Sequence, residues 1–274
     1  MELKGYSGCE LSLYERNGVK LVRKTAKNFD YNERLEKQAV KQNNYNGVFY
    51  TPKIIEQEYV ESLFTFSMEY INGCSFCDHM LTMTHTDMEH FIALCFNNIT
   101  NRAQHHLDLS SLFEKKIVAL REIIGYNCAF LNNIMELLFE HDWSNIEQGY
   151  CHGDFTLENI IVYKSRFYLI DFLDSFCNSW LIDIAKLLQD VELYWAYRNK
   201  SSLLVASKDS LNFMKNLIYE SVALQAGEAC IKDLHYILLL NTLRIVPYIK
   251  DKTSKFCVEN GLSHVYNIII KKYL

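Results

Sequence analysis

Over the first quarter of the chain, apolar and polar residues alternate in short runs. MELKGYS, ELSLYERN and VKLVRKTA are such runs, separated by glycine-bearing turns at Gly5–Gly8 and Asn17-Gly18. Period-two runs bounded in this way predict strands. The Asn-Gly pair predicts a tight hairpin, because a type I′ turn needs positive φ at both central residues. Asn28-Phe29-Asp30 offers a helix cap, and residues 31–43 read as a charged helix with Leu35 and Ala39 on one side. Two more strand-like runs lie around residues 53–57 and 63–70, and Gly73 follows. From about Asp78 the spacing becomes helical, as in DMEHFIALCFNNITNRA and LFEKKIVALREIIGYNCAFLNNIMELLFEH. Two short apolar runs, NIIVY and RFYLIDF, interrupt the helices, which resume from Trp180. The predicted plan is α+β, with a small β-rich part (1–70) carrying one helix and a larger, mostly helical part (71–274). A cleft between two such parts is a natural ligand site.

Composition narrows the function. The 274 residues allow an ample core, and 49% are hydrophobic, so the chain is not of the disordered kind. A net charge of −5 with no long basic run makes nucleic acid a poor partner, and the Lys271-Lys272 pair is too small to change that. MELKGYSGCE contains no apolar signal region, and Asn241, Arg244 and Pro247 break the apolar stretch 236–249. That stretch is expected to be a buried core helix, with no membrane insertion. Nine scattered cysteines then read as reduced thiols, which suits a cytoplasmic chain. CSFCDH holds Cys74, Cys77 and His79, with His85 and His90 beyond. A zinc site usually needs two such pairs, so the simpler reading is a connector that happens to carry thiols.

The candidate chemistry sits in CHGDFTLENIIVYKSRFYLIDFLDS, residues 151–175. His152, Asp154 and Asn159 precede one strand-like run, and Asp171 ends the next. Asp154 and Asn159 share one loop, and a hairpin would bring Asp171 beside them. Phosphoryl transfer from a nucleotide needs metal ions to neutralise the phosphate charge and a group to orient the acceptor hydroxyl and receive its proton. Mg²⁺ takes hard oxygen ligands. Asp171 offers a carboxylate and Asn159 a carbonyl oxygen, which leaves Asp154 to face the hydroxyl. Asp154 alone would read as a turn cap; the set of four favours the functional reading.

HGDFTLEN followed by LIDF resembles the motifs of the aminoglycoside phosphotransferase and choline kinase branch of the protein-kinase-like fold. Gly153 suits this small-molecule branch, since eukaryotic protein kinases usually carry Arg there. The longer string through SWLIDIAKLLQD is similar to bacterial phosphotransferases associated with surface-polysaccharide biosynthesis. The resemblance implies ATP and Mg²⁺ as cofactors and a small-molecule acceptor. It makes Asp154 the catalytic base, Asn159 and Asp171 the metal ligands, His152 a support for the loop, and Asp183 a brace. Lys24 in KLVRKTA matches the lysine that grips nucleotide phosphates. Backbone groups near Glu69–Ile71 would bind adenine, and GYSGC stands where a phosphate-covering turn belongs, with N–H groups of Ser7, Gly8 and Cys9.

Several positions stay open at this level. Glu36 is favoured as the helix partner of Lys24, with Glu33, Gln38 and Gln42 as alternatives. Lys24 is otherwise an exposed strand lysine, although alternation pairs it with Val22 on one face. Leu173 replaces the glycine of Asp-Phe-Gly, so a flipping switch is not expected. Asp174 is either a third acidic group near the metal or a solvated turn residue. Asp190, Glu192, Tyr194 and Trp195 either contact the acceptor or belong to a helical core. A protein kinase is disfavoured because WLIDIAKL follows Asp171 within about ten residues, leaving little room for an activation segment. A non-catalytic scaffold is disfavoured because the polar set is intact. Acceptor identity, ATP against GTP, and oligomeric state are not written in the sequence.

Overall fold

A computed structural model describes residues 9–100, 106–126 and 128–274. In chain order the elements begin with β1 (Cys9–Arg16), β2 (Val19–Ala26), α1 (Asn32–Asn43), β3 (Ile54–Val60), β4 (Leu63–Glu69) and β5 (Cys74–Ser75). There follow α2 (Phe76–His79), α3 (His85–Thr100), β6 (His106–Leu107), α4 (Ser110–Ile124), α5 (Ala129–Phe139) and β7 (Ile146–Glu147). The chain continues through β8 (Ile160–Tyr163), β9 (Arg166–Leu169), α6 (Trp180–Val191), α7 (Ser201–Ala226), α8 (Glu228–Leu243) and α9 (Lys252–Tyr273). Contacts gather them into two units. The first is Met1–Phe76 with His152–Asp154 and Glu158–Asp174; the second is Cys77–Cys151, Phe155–Leu157 and Ser175–Leu274. The β8–β9 hairpin belongs to the first unit and pairs there with β5.

The first unit is built on an antiparallel sheet in the order β1-β2-β4-β3. Asn17 and Gly18 both have positive φ, at 52° and 77°, as the Asn-Gly signal requires. The Asn28 side chain accepts a hydrogen bond from the Tyr31 N–H at 3.0 Å, capping the turn that leads into α1. Leu35 and Ala39 of α1 are buried among Val22, Phe64, Phe66 and Met68. Each large apolar side chain so buried contributes about 1.5–3 kcal/mol. Polar contacts fix the register of helix on sheet. Asn32 donates to the Ser62 carbonyl and accepts from the Phe64 N–H, both at 2.8 Å, and Gln42 donates to the Pro52 carbonyl at 2.8 Å. A second sheet, in the order β5-β8-β9, carries the hairpin whose two ends hold the candidate residues.

The second unit packs around α6 and α8. Every residue of α6 is buried except Lys186, and α8 is buried almost continuously from Leu234 to Leu243. That is the core helix expected from 236–249; it ends at Leu243, and a separate single turn containing Pro247 follows. No described helix is long and apolar enough to cross a membrane. The helical run from residue 112 consists of α4 and α5, with Gly125, whose φ is 75°, ending α4.

A line of polar side chains joins four of these helices. At the end of α6, Glu192 accepts from the Tyr219 hydroxyl of α7 at 2.6 Å. Tyr219 meets Nε2 of His235 on α8 at 3.2 Å, and Nδ1 of His235 meets the Tyr273 hydroxyl of α9 at 2.8 Å. Burial pushes the His235 pKa down from 6.5 to about 4, against the pull of Glu192. The unfolded chain therefore binds a proton at His235 that the folded chain excludes. Stability is full above pH 6.5 and falls as pH drops from 6.5 toward 4, by about 3 kcal/mol for this group. Thermal melts between pH 7.5 and 4.5 check this: His235→Gln is expected to flatten the acid slope, and an unchanged slope would contradict it.

Candidate active site

The β8–β9 hairpin positions most of the candidate residues. Its register pairs Ile160 with Leu169, and the pairing continues one step further as the Ile170 N–H donates to the Asn159 carbonyl at 3.1 Å. Asn159 and Asp171 therefore lie at neighbouring ends of adjacent strands. On the other side of Asn159, its amide nitrogen donates to both the Asp154 carbonyl and the Asp154 carboxylate, each at 2.9 Å. With the nitrogen committed to Asp154, the oxygen of the same amide is the atom that a hard cation would use.

His152 and Gly153 shape the loop that presents Asp154. His152 is buried, with its ring 4.3 Å from that of Phe172, and its Nδ1 accepts from the Asp154 N–H at 3.3 Å. Burial lowers its pKa to about 4, so the ring is neutral. Gly153 has φ +93°, and a Cβ there would lie 2.5 Å from the Leu173 carbonyl oxygen. The Leu173 N–H in turn donates to the His152 carbonyl at 3.0 Å. The Asp154 loop and the turn after Asp171 are thus in backbone contact, a closeness that only glycine permits.

Lys24 projects from β2, on the face shared with Val22, and only 2% of its surface is exposed. Its ammonium donates to Oδ1 of Asp171 at 2.6 Å. Burial works against its charge, but the Asp171 carboxylate more than offsets this and holds the pKa above the usual lysine value. Asp171 has φ 60°, a left-handed backbone that costs a non-glycine residue about 1 kcal/mol or more. The ion pair is one of the contacts that hold it there.

The other expected site residues are placed as follows. Ser7 and Gly8 lie outside the described residues. Glu36 is corrected as the partner of Lys24. It sits on the exposed face of α1, where its carboxylate meets the Tyr59 hydroxyl at 3.5 Å, while Asp171 takes the lysine. Among the alternatives, Glu33 pairs with Lys37 at 2.8 Å, Gln38 donates to the Tyr31 hydroxyl and Gln42 donates to Pro52. The Glu69 N–H donates to the Lys53 carbonyl, and the Ile71 carbonyl accepts from the Gly73 N–H. Asp174 is exposed.

In the second unit, Asp183 is buried on α6 next to the Cys95 thiol, whose pKa is raised by burial and then by Asp183. Asp190 lies in the helical core. It is fully buried and uses both oxygens on backbone, accepting from the Leu157 N–H at 2.7 Å and the Ala196 N–H at 3.0 Å. Glu192 belongs to the interhelix line described above. Tyr194, with φ 60°, leads into the single turn Trp195–Tyr197, where the Arg198 guanidinium lies 4.2 Å from the Trp195 ring centre. Both Tyr194 and Trp195 are half-buried.

The sequence reading missed Lys41. Its ammonium donates to the Leu173 carbonyl at 2.6 Å. Nothing in the local pattern singles it out, since a lysine in a last helical turn is common. Among the described residues, no group of three or more His, Cys, Asp and Glu is arranged to hold an ion. Asp171 and Asn159 offer one carboxylate and one amide oxygen, a hard donor set that would suit Mg²⁺.

A family model described as phosphotransferase enzyme family matches residues 85–207, a span that includes Asp154, Asn159 and Asp171. Among solved structures, the chain is similar to a thermostable mutant of aminoglycoside phosphotransferase APH(4)-Ia in a ternary complex with AMP-PNP and hygromycin B. The TM-score is 0.63 at 11% identity, over 97% of this chain and 92% of that one. It is also similar to a choline/ethanolamine kinase family protein from Mesorhizobium loti, with TM-score 0.56 and 12% identity over 98% and 87% of the two chains. A gentamicin complex of APH(2")-IIa gives 0.57 at 13% identity, over 93% and 87%. No curated protein matches the chain in sequence. The fold is thus the α+β, protein-kinase-like one that the motifs implied, and the resemblance to aminoglycoside phosphotransferases and choline kinases stands.

The contact at Gly153 gives a direct test. Gly153→Ala must place a Cβ against the Leu173 carbonyl and strain a positive φ. A loss of roughly 2–3 kcal/mol is expected in chemical denaturation. A variant as stable as the wild type would contradict the close approach.

Proposed function

We propose that this protein transfers the γ-phosphoryl group of ATP, with Mg²⁺, to a hydroxyl of a small molecule. The observation that carries the reading is the convergence of Lys24, Asp154, Asn159 and Asp171 within one unit, with Asn159 bonded to Asp154 and Lys24 to Asp171. The phosphotransferase family model over residues 85–207 supports it. So do the fold neighbours, one of which is a complex with AMP-PNP and hygromycin B.

Each residue has a task in this scheme. Asp171 and the Asn159 oxygen would hold Mg²⁺, which neutralises charge on the nucleotide phosphates when bound. The Lys24 ammonium, buried and held charged, binds phosphate oxygens. Asp154 receives the acceptor hydroxyl's proton, and the amide nitrogen of Asn159 fixes the direction of its carboxylate. His152 stays neutral and holds the loop. The Glu69 N–H and the Ile71 carbonyl have partners in the fold, so a purine would use the Glu69 carbonyl and the Ile71 N–H. The Ser7 and Gly8 N–H groups would cover the phosphates. Positioning and charge neutralisation supply most of the rate. The acceptor is a sugar, an amino alcohol or a precursor of a surface polysaccharide.

Asp154→Asn is expected to bind ATP with Mg²⁺ within threefold of wild type and to lose turnover, read as slow ATP hydrolysis, by about 10²–10⁴. Asp171→Asn is expected to lose about tenfold or more in Mg²⁺-dependent ATP affinity by calorimetry, near 1.4 kcal/mol. Equal affinity for wild type and Asp171→Asn in Mg²⁺ would contradict the ligand assignment.

A further inference from the structure

A feature of α1 is left over once the site residues have their tasks. The inward positions of this helix are Asn32, Leu35, Gln38, Ala39 and Gln42, so it turns no carboxylate toward Lys24. It contributes a cation instead. The Lys41 ammonium reaches the Leu173 carbonyl at 2.6 Å, across 132 residues of sequence. That carbonyl is the one a Cβ at Gly153 would strike, and the N–H of the same residue is bonded to the His152 carbonyl. Leu173 is therefore the point at which α1, the loop bearing Asp154 and the turn bearing Asp171 are tied together. Lys41 also lies near enough to His152 for its charge to help keep that ring neutral, after burial and the opposing pull of Asp154.

Resting on the phosphotransferase reading, we propose that Lys41 is a positioning residue that holds the Asp171 turn in its metal-binding geometry. The physical need is visible in the backbone. Asp171 sits at φ 60°, which relaxes unless its neighbours hold it. The turn is held before Asp171 by the Ile170–Asn159 bond and after it by the Leu173–His152 bond. Lys24 is a third restraint, but its ammonium changes partner when phosphate oxygens arrive. Lys41 bonds a backbone carbonyl, so its restraint persists in the loaded site. A bond from a charged donor is stronger than one between neutral groups. The helix behind it is fixed to the sheet by Asn32 and Gln42, so the anchor is a rigid one.

The test is nucleotide binding by calorimetry in excess EDTA and in Mg²⁺, for wild type, Lys41→Met and Lys41→Arg, with thermal melts of each. In EDTA all three are expected to bind ATP within threefold of one another, which shows an intact fold and an intact contribution from Lys24. In Mg²⁺ the affinity gain of Lys41→Met is expected to be about tenfold smaller than that of wild type, and Lys41→Arg is expected to recover most of it. A Lys41→Met variant with the full Mg²⁺ gain would overturn the positioning role alone. If Lys41→Met does not fold, Lys41→Arg decides: retention of the gain supports the role, and its loss overturns it. A wild-type chain that gains nothing from Mg²⁺ would overturn the phosphotransferase reading together with this one.

Discussion

A lysine ammonium with 2% of its surface exposed stays charged only beside a negative partner. In this protein the partner is Asp171, at 2.6 Å, and the arrangement of the first unit follows from that pair. Lys24 must leave β2 on the inner face, which the alternation of VKLVRKTA provides. Asp171 must reach it from the far end of a hairpin, with a left-handed backbone that needs restraint. Breaking such a pair by removing one partner costs about 3–5 kcal/mol, so the unit is organised to keep both members in place. In the proposed function, the same two groups are the ones that a nucleotide phosphate and its cation would separate.

Around the pair, backbone contacts do what side chains do elsewhere. Gly153 admits the Leu173 carbonyl, Leu173 bonds His152, and Ile170 bonds Asn159. Asn159 then directs the Asp154 carboxylate through its amide nitrogen. In the second unit, buried Asp190 caps the backbone at Leu157 and Ala196, which fixes the chain just after Phe155. The carboxylates therefore divide by environment. Asp190 is fully buried and spent on N–H groups, whereas Asp171 keeps part of its surface accessible and remains available for exchange of partners.

Much of this was legible in the sequence because it is written in short-range signals. Asn17-Gly18 specified its turn, NIIVY and RFYLIDF specified a hairpin, and the spacing of Asp154, Asn159 and Asp171 then followed. Two other tight turns carry positive φ at Glu61-Ser62 and Lys164-Ser165 without glycine or asparagine, so their geometry had no local signature. The partner of Lys24 was misread because helix phase decides which residue of α1 faces inward, and Glu36 falls on the outer face by about one position. Asp190 stayed open between acceptor contact and core because nothing local distinguishes a carboxylate facing a ligand from one capping distant N–H groups. Lys41 was invisible for the same reason: its acceptor lies on a turn that the folded hairpin alone brings near.

Movement of phosphate to a small-molecule hydroxyl is read by a transfer screen. Labelled ATP with Mg²⁺ is offered with pooled sugars, amino alcohols, nucleosides and aminoglycosides, and the label is followed with and without EDTA. Label is expected on the members of one pool, abolished by EDTA. ATP left intact in every pool, by a chain that also fails to bind ATP with Mg²⁺, would contradict it.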